Sequence, residues 1–233
     1  MANTEFTFKQ FTIKQDRCAM KVGTDGVLLG AWADGGHNIL DIGTGTALIA
    51  LMMAQRFKQA HITAIEIDEE ASLQARENAE ASPFAQRVKI LHTALQDFSP
   101  ECQYDCIVTN PPFFTDSLKN PDSQRAAARH ADTLPYAELF GRVATLLAPN
   151  GTLSAIIPTD CLERFTAEAY FSGLSPIRRC AIKTTTRRPP KRQLVAFAHK
   201  PSASIDIQET TLQTNDGERS EWYKKLTEDF YIR

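Results

Sequence analysis

No apolar run in the sequence reaches the ~18 residues that a bilayer-spanning helix needs, so no membrane segment is expected. A basic excess is missing too: 26 Lys and Arg stand against 28 Asp and Glu, for a net charge of −2. That excludes a globally basic nucleic-acid coat and confines any nucleic-acid binding to a local patch. Cysteines are few and scattered, at Cys18, Cys102, Cys106, Cys161 and Cys180. An odd, irregular set argues against a secreted disulfide framework. The Cys102/Cys106 pair has no second His or Cys half nearby, so buried thiols are expected and a metal is not. The opening MANTEFTFKQ has no basic stretch followed by an apolar one, so no secretory signal and a cytoplasmic location are expected. Internal repeats and low-complexity tracts are absent.

What is present suits one domain over 1–233, acting as a monomer. The chain has 233 residues, 42% of them apolar and 23% charged, enough to bury a core without staples. Short β-branched runs alternate with longer amphipathic ones. Strands are expected at Ile39–Ile42, Ile62–Ile67, Val88–His92, Tyr104–Thr109, Thr152–Ile157, Ile177–Thr184 and Gln193–Ala198. Helices are expected at Asp25–Ala33, Thr46–Phe57, Glu69–Ala81, Leu134–Leu147, Asp160–Phe171 and Glu218–Phe230. Runs such as Ile-Leu-Asp-Ile are apolar almost throughout, as in strands covered on both faces. This rhythm implies right-handed βαβ units: an α/β, doubly wound, seven-stranded and mostly parallel sheet. The last two strands have no helix between them, so they form an antiparallel pair around the basic loop 185–192. Residues 1–20 carry an N-terminal hairpin, centred on Glu5–Ile13. The polar stretch 115–133 is too long for an ordinary connection and is expected to be a substrate loop.

Asp41-Ile-Gly43-Thr-Gly45-Thr-Ala-Leu48 closes the first buried strand and opens a helix. Gly43 and Gly45 allow a tight turn and let a ligand approach the backbone. Glu66 follows Gly43 by 23 residues, at the end of the next strand, where an acid holds ribose hydroxyls. The third glycine of a dinucleotide fingerprint is replaced by Leu48, and Asp41 brings a carboxylate beside the turn. A pyrophosphate would be repelled there. A nucleoside bearing an ammonium and a sulfonium, as S-adenosylmethionine does, would be attracted. Against this, Asp41 could simply bond the turn's own N–H groups.

Asn110-Pro111-Pro112-Phe113 follows the fourth expected strand of the central sheet. The Asn110 oxygen can accept one N–H of an exocyclic amine, and a prolyl carbonyl on a rigid backbone can accept the other. Two acceptors aim the nitrogen lone pair at a methyl donor, so positioning supplies much of the catalysis. Phe113 can stack on a base drawn out of its own stack, a contact of ~1–3 kcal/mol. Asn-Pro-Pro alone would equally serve as a turn that stops the sheet.

In order and spacing, DIGTG, EID and NPPF resemble class I S-adenosylmethionine-dependent methyltransferases of the amino-methylating branch. FTFKQF, KVGTDGVLLGAW at Lys21–Trp32, ARH at Ala128–His130, the basic proline run and the closing DFYIR look like the tRNA1(Val) adenosine N6-methyltransferases. The likeness covers nearly the whole chain. It implies that Thr24, Asp25, Asp41, Gly43, Gly45, Glu66, Ile67 and Asn110 surround S-adenosylmethionine. It also implies that Asn110 and Phe113 hold the adenine beside the anticodon of a tRNA. Where such enzymes often hold the cofactor's adenine with an acid, this chain reads His92-Thr93-Ala94-Leu95, with Asp97 beyond.

Between Glu168 and Asp206 no acid occurs, yet Arg178, Arg179, Lys183, Arg187, Arg188, Lys191, Arg192 and Lys200 do. Positive charge gathered this way suits phosphates. Arg187, Arg188, Lys191 and Arg192 are therefore the expected RNA contacts, with Arg125 and Arg129 of the 115–133 loop. Two catalytic alternatives stay open: methylation of a glutamine side-chain amide, and of adenine in rRNA or DNA. An amide NH2 offers the same two donors, but enzymes of that kind usually carry Tyr at the fourth position and an extra N-terminal domain. A non-catalytic module that keeps the fold is the third.

Overall fold

A computed structural model describes residues 4–112 and 134–232. The expected N-terminal hairpin is β1 (Glu5–Thr7) paired antiparallel with β2 (Thr12–Lys14). The alternation then begins with α1 (Thr24–Trp32), β3 (Asn38–Ile42), α2 (Leu48–Arg56), β4 (His61–Glu66), α3 (Glu69–Glu80) and β5 (Val88–His92). It continues with β6 (Tyr104–Thr109), α4 (Tyr136–Leu146), β7 (Leu147–Pro158) and α5 (Leu162–Phe171). Strands β8 (Ser175–Lys183), β9 (Arg192–Ala198) and β10 (Asp206–Thr211) follow, then α6 (Glu221–Thr227).

The main sheet has the order β10-β8-β9-β7-β6-β3-β4-β5. Strands β3 to β7 are parallel, and β9 runs antiparallel to both β7 and β8. The expected antiparallel end is therefore present. An eighth strand extends the expected seven: β10 adds in parallel to β8 at the sheet edge. Its first four residues are exposed, so no buried run betrays it in the sequence. The expected substrate loop, 115–133, lies outside the described residues, as do Phe113, Arg125 and Arg129.

Strand side chains alternate between two cores, as the two-residue period requires. Ile39, Ile62, Ala64, Cys106 and Val108 face α1, α2, α3, the N-terminal hairpin and the buried tail residue Phe230. Leu40, Ile65, Ile107, Leu153 and Phe197 face α4 and α5 on the other side. The helices thus change faces between β3 and β6. In an open parallel sheet that switch point leaves a crevice beyond the carboxyl ends of the strands.

Cys18, Cys106, Cys161 and Cys180 are buried free thiols, as expected, but Cys102 is exposed. No three metal-ligating side chains cluster among the described residues, and no helix there is long and apolar enough to cross a membrane.

Candidate active site

Register brings the two sequence motifs together. Ile42 of β3 lies opposite Thr109 of β6, so the glycine turn and Asn110 leave neighbouring strands at the same level. The Thr109 hydroxyl reinforces the match by donating to the Ile42 carbonyl at 3.1 Å. Gly43 and Gly45 take φ values of +70° and +55°, left-handed conformations that favour glycine. Both the Gly43 and Thr44 N–H groups donate to the Ile65 carbonyl at 3.0 Å, which folds the turn over β4.

Glu66, at the end of β4, is held by the backbone itself. Its Oε2 accepts from the Gly45 N–H at 2.8 Å, and its Oε1 accepts from Ile67 at 2.9 Å and Asp68 at 3.1 Å. A carboxylate has about four lone-pair positions. One therefore stays open for a ribose hydroxyl, and a second hydroxyl needs a backbone donor to be displaced. Ile67 beside it is an apolar side chain left 53% exposed, a surface suited to a flat ring.

Asp41 is fully buried in β3. Its Oδ2 accepts from the Thr44 hydroxyl at 2.6 Å and the Ala50 N–H at 3.2 Å, so the turn does use this carboxylate internally. Its Oδ1 is buried with no partner among the described residues. Burial pushes the carboxyl up to about 7; the two hydrogen bonds oppose that rise, and the nearby Glu66 adds to it. A cationic donor at Oδ1 would satisfy the orphaned atom and favour ionisation.

At the end of β6, Asn110 presents the same signature: its Oδ1 is buried and unpartnered among the described residues. Its Nδ2 lies 3.8 Å from the Met20 sulfur. Pro111 is buried and Pro112 exposed. Met20, with Cys18, belongs to a strap, 15–22, that the sequence motifs did not single out. The strap is tied to α3, where the Arg17 N–H donates to Gln74 Oε1 at 3.1 Å and the Arg17 guanidinium pairs with Glu77 at 3.0 Å. Burial, helped by Glu66, pushes the Cys18 thiol up to about 11, so it stays protonated beside the turn.

Thr24 and Asp25 open α1. Thr24 is exposed, and Asp25 pairs with Arg192 at 2.7 Å rather than standing alone. The basic run divides by role. Arg178 is committed to Asp34 at 3.2 Å and to the Trp32 ring at 3.7 Å, Lys183 pairs with Glu209, and Lys200 donates to Asn150. Arg187, Arg188 and Lys191 are exposed and form no ion pair with any described residue. Pro158, at the end of β7, pairs with Arg192, so the loop of 185–191 leaves the sheet at the same end of the strands as Asn110. The expected adenine-holding segment shows His92 Nε2 3.0 Å from the Ile67 carbonyl, and Asp97 exposed.

A parallel sheet with a nucleoside-type turn, an acid after the second strand and Asn-Pro-Pro after the fourth defines a methyltransferase of Rossmann-like fold. The methyltransferase small domain family matches residues 23–159. Solved structures agree on the fold. A predicted O-methyltransferase from Agrobacterium tumefaciens superposes with a TM-score of 0.70 at 18% identity, over 88% of this chain and 96% of that one. The glycopeptide N-methyltransferase MtfA, complexed with S-adenosyl-L-methionine, superposes with 0.56 at 11% identity, over 77% of this chain and 100% of its own. Full-length relatives narrow the assignment. Proteins of Phocaeicola vulgatus (49% identical; 100% of this chain, 99% of that one) and Parabacteroides distasonis (45%; 100% of both) carry the name tRNA1(Val) (adenine(37)-N6)-methyltransferase. The chain belongs to that family.

Proposed function

We propose that this enzyme transfers the methyl group of S-adenosylmethionine to the N6 amine of adenosine 37 in tRNA1(Val). The observation that carries this reading is the buried, unpartnered Oδ1 of Asn110, one strand away from the glycine turn. An acceptor held there without a donor suits an NH2 group, and the full-length relatives supply an adenine amine.

The cofactor's residues fit it. Asp41 Oδ1 would take the ammonium, the turn at Gly43 and Gly45 its backbone, Glu66 a ribose hydroxyl and Ile67 the adenine face. Thr24 and Asp25 line the rim. When bound, the cofactor supplies a sulfonium methyl, an electrophile that needs no metal. Asn110 Oδ1 and a carbonyl of the Pro111-Pro112 pair accept the two N–H bonds of the amine. Held so, the amine's lone pair would turn out of conjugation with the ring and could take the methyl group as the sulfonium C–S bond breaks, the neutral thioether then leaving and the surplus N–H proton passing to solvent. Phe113 stacks on the extruded base. Arg187, Arg188 and Lys191 meet RNA phosphates together with Arg125 and Arg129, and Arg192 anchors that loop from below. The enzyme works as a monomer in the cytoplasm, where tRNA is made.

The test is mass spectrometry of nucleosides from total tRNA incubated with isotope-labelled cofactor. Label in N6-methyladenosine of tRNA supports the reading. Label only in protein glutamine, or none in any nucleoside, removes it.

A further inference from the structure

We infer that Met20 is a positioning residue for methyl transfer: its sulfur fixes which end of the Asn110 carboxamide faces the substrate amine. The sulfur lies 3.8 Å from Asn110 Nδ2. A thioether can only accept a hydrogen bond, and weakly. It therefore selects the NH2 end of the amide and leaves Oδ1 pointing elsewhere, buried and without a partner among the described residues. Rotating the amide by half a turn would set oxygen against sulfur, two acceptors face to face. It would also aim NH2 at the place meant for the target amine, where two donors repel. One weak bond thus separates a reactive pocket from a repulsive one.

Met20 is 58% exposed, so core packing does not account for its place. The strap brings it there. Val22 N–H donates to Gln15 Oε1 at 2.8 Å, Lys14 N–H to Asn78 Oδ1 at 2.9 Å, and Arg17 bonds both Gln74 and Glu77 of α3. The Met20 backbone N–H also bonds the buried Cys18 thiol. The segment is thereby pinned on both sides of Met20, 90 residues before the side chain it orients.

This inference rests on the role given to Asn110 above. The experiment compares steady-state kinetics of Met20→Leu, which keeps volume without an acceptor, with Met20→Gln, which restores an acceptor at similar reach. Met20→Leu should lower kcat about 2- to 3-fold, the low end of one net hydrogen bond as suits a weak acceptor, with KM for tRNA and cofactor Kd unchanged. Met20→Gln should recover most of the loss. An unchanged kcat in the Leu variant overturns the inference, as does an equal loss in both variants or a change confined to KM. Asn110→Ala is measured alongside. If it keeps full transfer, the Asn110 role itself fails; if it is inactive while Met20→Leu matches wild type, only the present inference falls.

Discussion

Asp25 and Arg192 stand 167 residues apart in sequence and meet at 2.7 Å, carboxylate Oδ2 to guanidinium Nε. One lies in the first turn of α1; the other opens β9 beneath the basic loop. Their side chains are 26% and 36% exposed, so the pair itself contributes only ~0.2–1 kcal/mol. Its consequence is positional. A second tie comes from Thr159, whose N–H and hydroxyl donate to the carbonyls of Lys191 and Pro190. The base of the basic loop is therefore fixed to the ends of β7 and β9 and to the start of α1.

Changing Arg187, Arg188 and Lys191 together to Ser should weaken RNA binding and flatten its salt dependence. Each lost phosphate contact removes about 0.9 from the slope of log K against log salt, so a fall of roughly 2–3 is expected. Cofactor affinity should not change. Filter binding at several salt concentrations checks this, and a slope equal to wild type would take the loop out of the interface. Adding Arg192→Ser should also lower the melting temperature slightly, because Asp25 loses its partner.

Asp41 predicts a pH signature. Its folded-state pKa is about 7, against an ordinary value of about 4 in the unfolded chain. Between those values the folded protein holds a proton that the unfolded chain has released. Stability of the ligand-free enzyme should therefore fall as pH rises through that window. A bound ammonium favours the ionised form, so cofactor binding near pH 6 should release a proton and near pH 8.5 should not. Calorimetry in buffers of different ionisation enthalpy reads this directly. Asp41→Asn should abolish the release and cost about 2 kcal/mol of affinity, roughly 30-fold. Proton release that persists in the Asn variant would assign it to another group.

Much of this was legible in the sequence because burial and chirality leave a local trace. Strands β3, β4, β6 and β9 announce themselves as apolar runs, and the turn after β3 needs residues that tolerate positive φ. The start of α2 does not follow from pattern alone: the helix begins at Leu48, two residues later than its apolar period suggests. The reason is Ala47, which takes φ 64° and prolongs the turn. Strand β10 is polar and exposed and is recruited only by the edge of β8, so nothing periodic marks it. The strap with Cys18 and Met20 is likewise silent, since its place depends on side-chain bonds to α3 from 57 and 64 residues away. The dividing of the basic run into paired and unpaired cations is also a tertiary result; Arg178 and Lys183 look no different from Arg187 in one dimension.

Gly43 and Gly173 make a controlled comparison. Both hold positive φ, +70° and +78°, and an added Cβ would meet no atom within 4 Å at either place. Alanine should therefore cost similar backbone energy at both, about 1–2 kcal/mol, or roughly 5 °C in melting temperature. Only Gly43→Ala should weaken cofactor binding, because its new methyl would stand in the turn proposed above to receive S-adenosylmethionine. Thermal melts with and without cofactor separate the two. Equal cofactor affinity in both variants would mean that the ligand does not approach Gly43.

Asn110→Ala should reduce transfer by at least about 10²-fold while leaving cofactor affinity within about threefold. The side chain's oxygen is buried at the end of β6 but bonded to nothing among the described residues, so its removal breaks no described bond from Oδ1. Stability should change little, which isolates the catalytic loss from unfolding. Asn110→Asp retains the acceptor and should keep more activity than Ala, although its charge adds a desolvation cost and its second oxygen faces the Met20 sulfur acceptor to acceptor. The ordering Asn, then Asp, then Ala in kcat, measured with saturating tRNA and cofactor, is what an acceptor role requires. If Asp and Ala were equally inactive, shape or donation by the amide would be the operative property. If instead cofactor affinity fell in step with kcat, Asn110 would be a binding residue for the donor and the substrate amine would be gripped elsewhere.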